Sequence, residues 1–176
     1  MKIKKFKIQG SYVLELEKFQ DKRGFFARAW DKQMLGKIGI NTNLIHCNIS
    51  FSHKKGTMHG MHYQVSPFQE EKLIRCFRGS IFDVIIDLRK KSKTYKKWAG
   101  IELTQDNRKS LFVPKGCAHG FVSLKDNTEV FYQNTQKFSS NHERGVRWDD
   151  PKFGIKWPIK IDEISTKDST WKDFKQ

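Results

Sequence analysis

Lys72-Leu-Ile-Arg-Cys-Phe-Arg-Gly-Ser-Ile-Phe-Asp-Val-Ile-Ile-Asp-Leu88 is the stretch whose reading decides the fold. Both halves, Lys72–Phe77 and Ile81–Leu88, are rich in branched and aromatic residues, and Arg78-Gly79-Ser80 between them has the composition of a tight turn. This predicts two antiparallel strands joined as a hairpin. The pattern repeats downstream in Trp98–Leu103, Ser110–Val113, His119–Leu124 and Thr128–Asn134, punctuated by Asp106-Asn107, Pro114-Lys-Gly116 and Asp126-Asn127. Short strands at this spacing indicate a sandwich or barrel.

The upstream segments agree. Ser11–Glu17 alternates, Leu44–Phe51 is strand-like, and Asp21-Lys-Arg-Gly24 is a turn leading into Phe25-Phe26. One helix is expected before the tail, at Lys32–Ile38. Ser165-Thr-Lys-Asp168 then opens a short terminal helix, on a tail expected to pack over the body. There is no internal repeat or linker, so residues 1–176 read as a single all-β domain of jelly-roll or related barrel type.

Composition narrows the class. With 37% hydrophobic residues and 14 Phe the chain has the apolar bulk of a packed fold rather than a disordered one. No run approaches the roughly 18–20 apolar residues of a membrane span, and Met1-Lys-Ile-Lys-Lys-Phe-Lys7 has no apolar stretch after its charges. A soluble, unexported, cytoplasmic protein without a membrane partner is expected. Cys47, Cys76 and Cys117 form no C-x-x-C pair, which fits a reducing compartment. The net charge of +15 favours polyanionic partners. Its densest run, Arg89–Lys97, has only Tyr95 as an aromatic, so it reads as a solvated loop rather than a nucleic-acid site.

Chemistry is concentrated at two histidines beside glycines, His62 in His59-Gly-Met-His-Tyr-Gln64 and His119 in Pro114-Lys-Gly-Cys-Ala-His-Gly-Phe121. Glycine next to a strand histidine leaves space through which a ligand reaches it. Around them stand Lys72, Arg23, Tyr132, Asp83 and Asp168. A base, a weak acid and a fixed cation, here His62, Tyr132 and Lys72, are the parts needed to remove a proton beside a carbonyl, steady the enolate, and return a proton on the other face. The outcome is inversion at carbon. Taken singly, these residues also have ordinary structural readings: a hydrogen-bonded barrel histidine, a core tyrosine, a lysine reaching solvent, and an aspartate capping the tail helix.

A resemblance favours the chemical reading. Arg23-Gly-Phe-Phe26, Asn48 with Ser50 and Ser52, Gly60-Met-His-Tyr-Gln64, Lys72-Leu-Ile-Arg75, Phe82-Asp-Val-Ile-Ile-Asp-Leu-Arg89, Val113–Phe121, Trp148-Asp-Asp150 and Gly154-Ile-Lys-Trp-Pro158 lie in register from about Asp21 to Asp168. Together they resemble the dTDP-4-dehydrorhamnose 3,5-epimerase family. The resemblance implies a cupin-like jelly roll, a homodimer, no cofactor, and a nucleotide-diphosphate-linked 4-keto-6-deoxyhexose as substrate. It assigns His62 as base, Asp168 as its partner, Tyr132 as the opposing acid, and Lys72 and His119 to the sugar site. Arg23 matches a diphosphate contact, and Phe26 and Phe138 match aromatics that hold the nucleotide base. His46, Asn48, His59 and Gln64 complete the expected binding set.

The departures bear on the nucleotide. His59 stands where the family usually has a phosphate-binding arginine, Arg28 where it has glutamate, His46 where it has glutamine, and Cys47 where an acidic residue is common. Exchanging carboxylate for guanidinium reverses charge and hydrogen-bond direction, so CDP- and GDP-linked sugars compete with dTDP as the expected substrate. Two rival classes stand beside the enzyme. One is a non-catalytic sugar-nucleotide binding module. The other is a metal cupin, using His59, His62, His119, Glu70 and Glu71. Residues three apart on a strand face opposite ways, so His59 and His62 are not expected to meet on one ion unless a bulge intervenes.

Overall fold

The computed structural model describes residues 1–175. Its strands, in chain order, are β1 (Lys2–Lys5), β2 (Tyr12–Glu15), β3 (Lys18–Asp21), β4 (Gly24–Ala27), β5 (His46–Ser52), β6 (Thr57–Gln64), β7 (Lys72–Arg78), β8 (Ser80–Asp87), β9 (Trp98–Thr104), β10 (Ser110–Val113), β11 (Cys117–Ser123), β12 (Thr128–Asn134), β13 (Glu143–Gly145) and β14 (Glu163–Ile164). Among the described residues there are also two short helices, α1 (Lys32–Lys37) and α2 (Thr166–Ser169).

All strands but β3 and β4 form two sheets, β1-β2-β10-β7-β12-β5 and β13-β6-β11-β8-β9, with β14 added in parallel to β6. Alternation along each strand sends one side chain in two between them. Val13, Ile74, Leu111, Val113 and Val130 of the first sheet meet Ile81, Ile85, Ala99, Leu103 and Phe121 of the second in one buried cluster. Each aliphatic side chain fully buried there contributes about 1.5–3 kcal/mol relative to exposure. This is the two-sheet jelly roll expected from the strand spacing.

The expected hairpin is corrected. β7 pairs with β10 and β12 while β8 pairs with β9 and β11, so the two strands belong to opposite sheets. Gly79 alone makes the corner, with φ +75°, and its N–H donates to Gln105 Oε1 at 2.9 Å. A Cβ there would lie 2.4 Å from Thr128 Oγ1. A glycine between two apolar runs therefore marks a change of sheet here, because neither a side chain nor a two-residue loop fits.

Asp21-Lys-Arg-Gly24 does turn a hairpin, joining β3 to β4 in an isolated two-stranded arm. The tail covers the outer face of the second sheet: Phe153, Trp157, Ile159, Ile161 and Ile164 pack on Met58, Met61, Val84, Ile86 and Val122. The basic run becomes the β8–β9 connection, organised around the buried Asp87. That carboxylate accepts from Arg89 Nε at 2.8 Å, Ser92 Oγ at 2.5 Å and Thr94 Oγ1 at 2.6 Å. Among the described residues no helix is long and apolar enough to cross a membrane.

Candidate active site

Between the sheets, at the end where the apolar filling stops, an open cleft of about 580 Å³, its mouth included, is lined by residues of both walls. β5, β7 and β12 give Ser50, Lys72, Ile74, Val130 and Tyr132, and β6 and β11 give His59, His62, His119, Gly120 and Phe121. Tyr132 lies opposite Ile74 in the β12–β7 ladder, and Asn134 opposite Lys72, so strand register alone puts the phenol and the ammonium on one wall.

His62 Nε2 donates to Asp168 Oδ1 at 2.5 Å, which leaves Nδ1 as the basic nitrogen of the ring. Ser165 rather than Asp168 caps α2, its Oγ accepting from the Asp168 N–H at 3.1 Å, and the aspartate is thereby free to face the barrel. The second carboxylate oxygen of Asp168 accepts from the Gly60 N–H at 3.1 Å. Burial pushes this carboxyl up, but the bonds from His62 and Gly60 and the attraction of the imidazole outweigh it, and the net position is below the ordinary aspartate value. His119 Nε2 donates to the fully buried Asp83 at 2.6 Å, a second imidazole–carboxylate pair in the same pocket. Burial raises the Tyr132 hydroxyl above its usual range, and the charge of Glu70 raises it further.

The expectation that His59 and His62 face opposite ways is overturned. His62 lies opposite His119 and His59 opposite Phe121, so three steps along β6 match two along β11. This bulge turns both imidazoles into the cleft. It is made at a glycine contact: a Cβ on Gly60 would lie 2.6 Å from the Gly120 Cα and 2.7 Å from the His119 carbonyl. The glycine flanks thus serve the close approach of two backbones, with Gly120 also lining the cleft. His59 Nε2 is within 2.9 Å of Ser52 Oγ, and its ring stacks on Phe121. Each of the three imidazoles therefore has its own oxygen partner. Glu70 is paired with Lys72 at 3.0 Å and Glu71 accepts from the Asn41 N–H at 3.0 Å. Among the described residues no three His, Cys, Asp or Glu side chains converge as a metal-binding group.

Other expected binding residues lie outside the cleft. Gln64 is buried with its amide consumed by the backbone, donating to the Phe68 and Lys137 carbonyls and accepting from the Ser139 N–H. It shapes the loop that carries the exposed Phe138. Arg23 and Phe26 lie on the β3–β4 arm, Arg23 paired with Asp21 and Phe26 68% exposed. Arg28 pairs with Asp31, and His46 and Asn48 sit on β5, the sheet's edge strand. Sequence reasoning left Asp83 without a role, although an aspartate inside the apolar run Ile81–Leu88 demands a buried partner. Glu70 entered only as a ligand of the rival metal cupin, and Ser52 and Phe121 only as members of the quoted motifs, none with a role in this pocket.

A cupin-like jelly roll with an acid–base pocket walled by both sheets is the class that fold and site define. The chain belongs to the dTDP-4-dehydrorhamnose 3,5-epimerase family, whose model matches residues 5–176. It is 42% identical to the enzyme of that name from Sinorhizobium fredii over 159 residues, 90% of this chain and 82% of the relative. It is 38% identical to that of Methanothermobacter thermautotrophicus over 175 residues, covering 98% and 94%. Among solved structures, the Bacillus anthracis epimerase with TDP and pyrophosphate bound superposes with a TM-score of 0.94 at 38% identity, covering 98% of this chain and 99% of that one. The Legionella pneumophila enzyme in complex with dTDP-4-keto-L-rhamnose gives 0.91 at 31%, covering 98% and 92%.

Proposed function

We propose that this chain is a cofactor-independent epimerase of a nucleotide-diphosphate-linked 4-keto-6-deoxyhexose, inverting C3, C5 or both. The observation that carries the reading is the 2.5 Å His62–Asp168 pair facing the same cleft as Tyr132. The C4 ketone acidifies both neighbouring C–H bonds. His62 removes the proton, and Asp168 stabilises the imidazolium that forms. Lys72 and His119 stabilise the enolate oxygen, and Tyr132, kept protonated by its surroundings, returns a proton from the other side. No bond to a metal or nicotinamide enters this sequence.

The nucleotide is read as dTDP, on the strength of the relatives. Arg28 and His46, where the family has glutamate and glutamine, make CDP- and GDP-linked sugars the controls. A homodimer is proposed from the resemblance. Its support is an apolar outer face on the first sheet, where Ile49 is 65% exposed, Phe51 is exposed, and Phe77 stacks on Phe131 at 5.1 Å. The exposed β3–β4 arm extends this reading: Arg23 and Phe26 would act in the cleft of a second copy. The setting is cytoplasmic deoxysugar synthesis for a surface polysaccharide.

The test is proton NMR in D2O with dTDP-, CDP- and GDP-4-keto-6-deoxyglucose, reading C3 and C5 separately. Exchange that vanishes in His62→Ala supports the epimerase and reports its nucleotide and carbon. No exchange on any of the three overturns the reading.

A further inference from the structure

We infer that Glu70 is a positioning residue of this pocket, holding the Lys72 ammonium in place beside Tyr132. The inference rests on the proposed epimerase reading for its kinetic consequences, but its geometry stands independently. Glu71 N–H donates to Thr135 Oγ1 at 2.9 Å and accepts back through its carbonyl from the Thr135 N–H at 3.1 Å, which extends the β7–β12 ladder by one step and sets Glu70 just beyond it. From there Oε1 meets Lys72 Nζ at 3.0 Å, and Oε2 accepts from Asn134 Nδ2 at 3.2 Å. The Glu70 side chain is only 9% exposed and that of Lys72 14%.

A carboxylate so far removed from water needs partners, and those it has are the cleft's lysine and the neighbour two residues after its tyrosine. A lysine on a four-carbon stem is otherwise free to sample many positions. Anchored through one N–H, it keeps two donors for an oxygen in the cleft. The other charged and titratable groups on the cleft are His59, His62 with Asp168 behind it, and His119 with Asp83 behind it. Of these carboxylates, only Glu70 is on the Tyr132 wall. Its negative charge opposes ionisation of the phenol, in the same direction as burial, and so keeps a proton on the group required to donate one.

Glu70→Gln tests this by a tyrosinate absorbance titration, with the Tyr132→Phe spectrum subtracted in each background. Tyr132 is expected to ionise at lower pH in Glu70→Gln, and an alkaline limb of kcat set by the phenol to move the same way. Turnover is expected to fall about tenfold with a smaller change in KM. An unmoved Tyr132 titration overturns the inference whatever happens to turnover. Glu70→Asp keeps the charge but withdraws it by one methylene, so a wild-type titration with reduced turnover is expected; wild-type turnover would overturn the positioning role. The titration needs no substrate, so its failure is separate from a failure of the wild type to exchange any sugar nucleotide, which defeats the epimerase reading instead.

Discussion

Asp168 lies 2.5 Å from His62 although 106 residues separate them. The pair exists because the tail crosses the outer face of the second sheet and delivers one turn of helix behind β6. Asp168→Asn keeps the shape but removes the charge that steadies an imidazolium. A loss in kcat of roughly 10²-fold is expected, with KM changed far less. Steady-state kinetics with a reductase-coupled assay measures it, and unchanged kcat would remove Asp168 from the mechanism.

Gly120→Ala places a methyl group 2.6 Å from both the His59 carbonyl and Met61 Sδ. Backbone on one side cannot yield, so the β6–β11 crossing must open. A stability loss of about 1–3 kcal/mol is expected from overpacking, together with loss of the His59 and His62 alignment. Urea unfolding measures the first, and turnover of the still-folded fraction the second.

His59 supplies a titratable group where the family has a fixed cation. Burial holds this imidazole below its ordinary value; Asp168 draws it up and His62 pushes it down again. It is therefore neutral near pH 7 and gains charge only as the pH falls. An unreactive dTDP-hexose, whose diphosphate does not titrate in this range, is expected to bind more tightly at about pH 6 than at about pH 8. Calorimetry should show that slope flattened in His59→Arg, because guanidinium stays charged throughout. Equal slopes in the two proteins would show that the pH dependence does not come from His59.

Asp87 gives a prediction about stability. Burial raises its carboxyl, but bonds from Arg89, Ser92 and Thr94 more than offset this and bring it down to about 2. The folded value lies below the unfolded one, so the charged form favours the fold. That contribution, of order 2 kcal/mol, is complete above about pH 5 and is lost as the pH falls through about 2. Denaturant unfolding at pH 7 and at pH 2.5 should show a smaller difference between the two conditions for Asp87→Asn than for the wild type.

Much of this architecture is legible in the chain because it is encoded locally. Alternation marks β2, branched and aromatic residues mark β7 and β8, and Asp21–Gly24 marks the arm's turn. Which strand pairs with which is not local. Gly79 looks the same whether it turns a hairpin or passes the chain from one sheet to the other; the choice is made by β10, β11 and β12, which claim the edges of β7 and β8. The site divides in the same way. Lys72 and Tyr132 follow from strand register. His59 does not, because one bulge reverses the parity of everything beyond it. Asp168 needed the family resemblance, since a tail's path leaves no periodic trace.

The order in which the site is made differs from the order in which it is used. β5, β6, β7, β11 and β12, which line the cleft, all precede α2 in the chain. On the ribosome the pocket's walls are therefore available before the carboxylate that supports its base. The last part of the cleft's surroundings to be synthesised is thus the segment that bears Asp168, the proposed partner of His62.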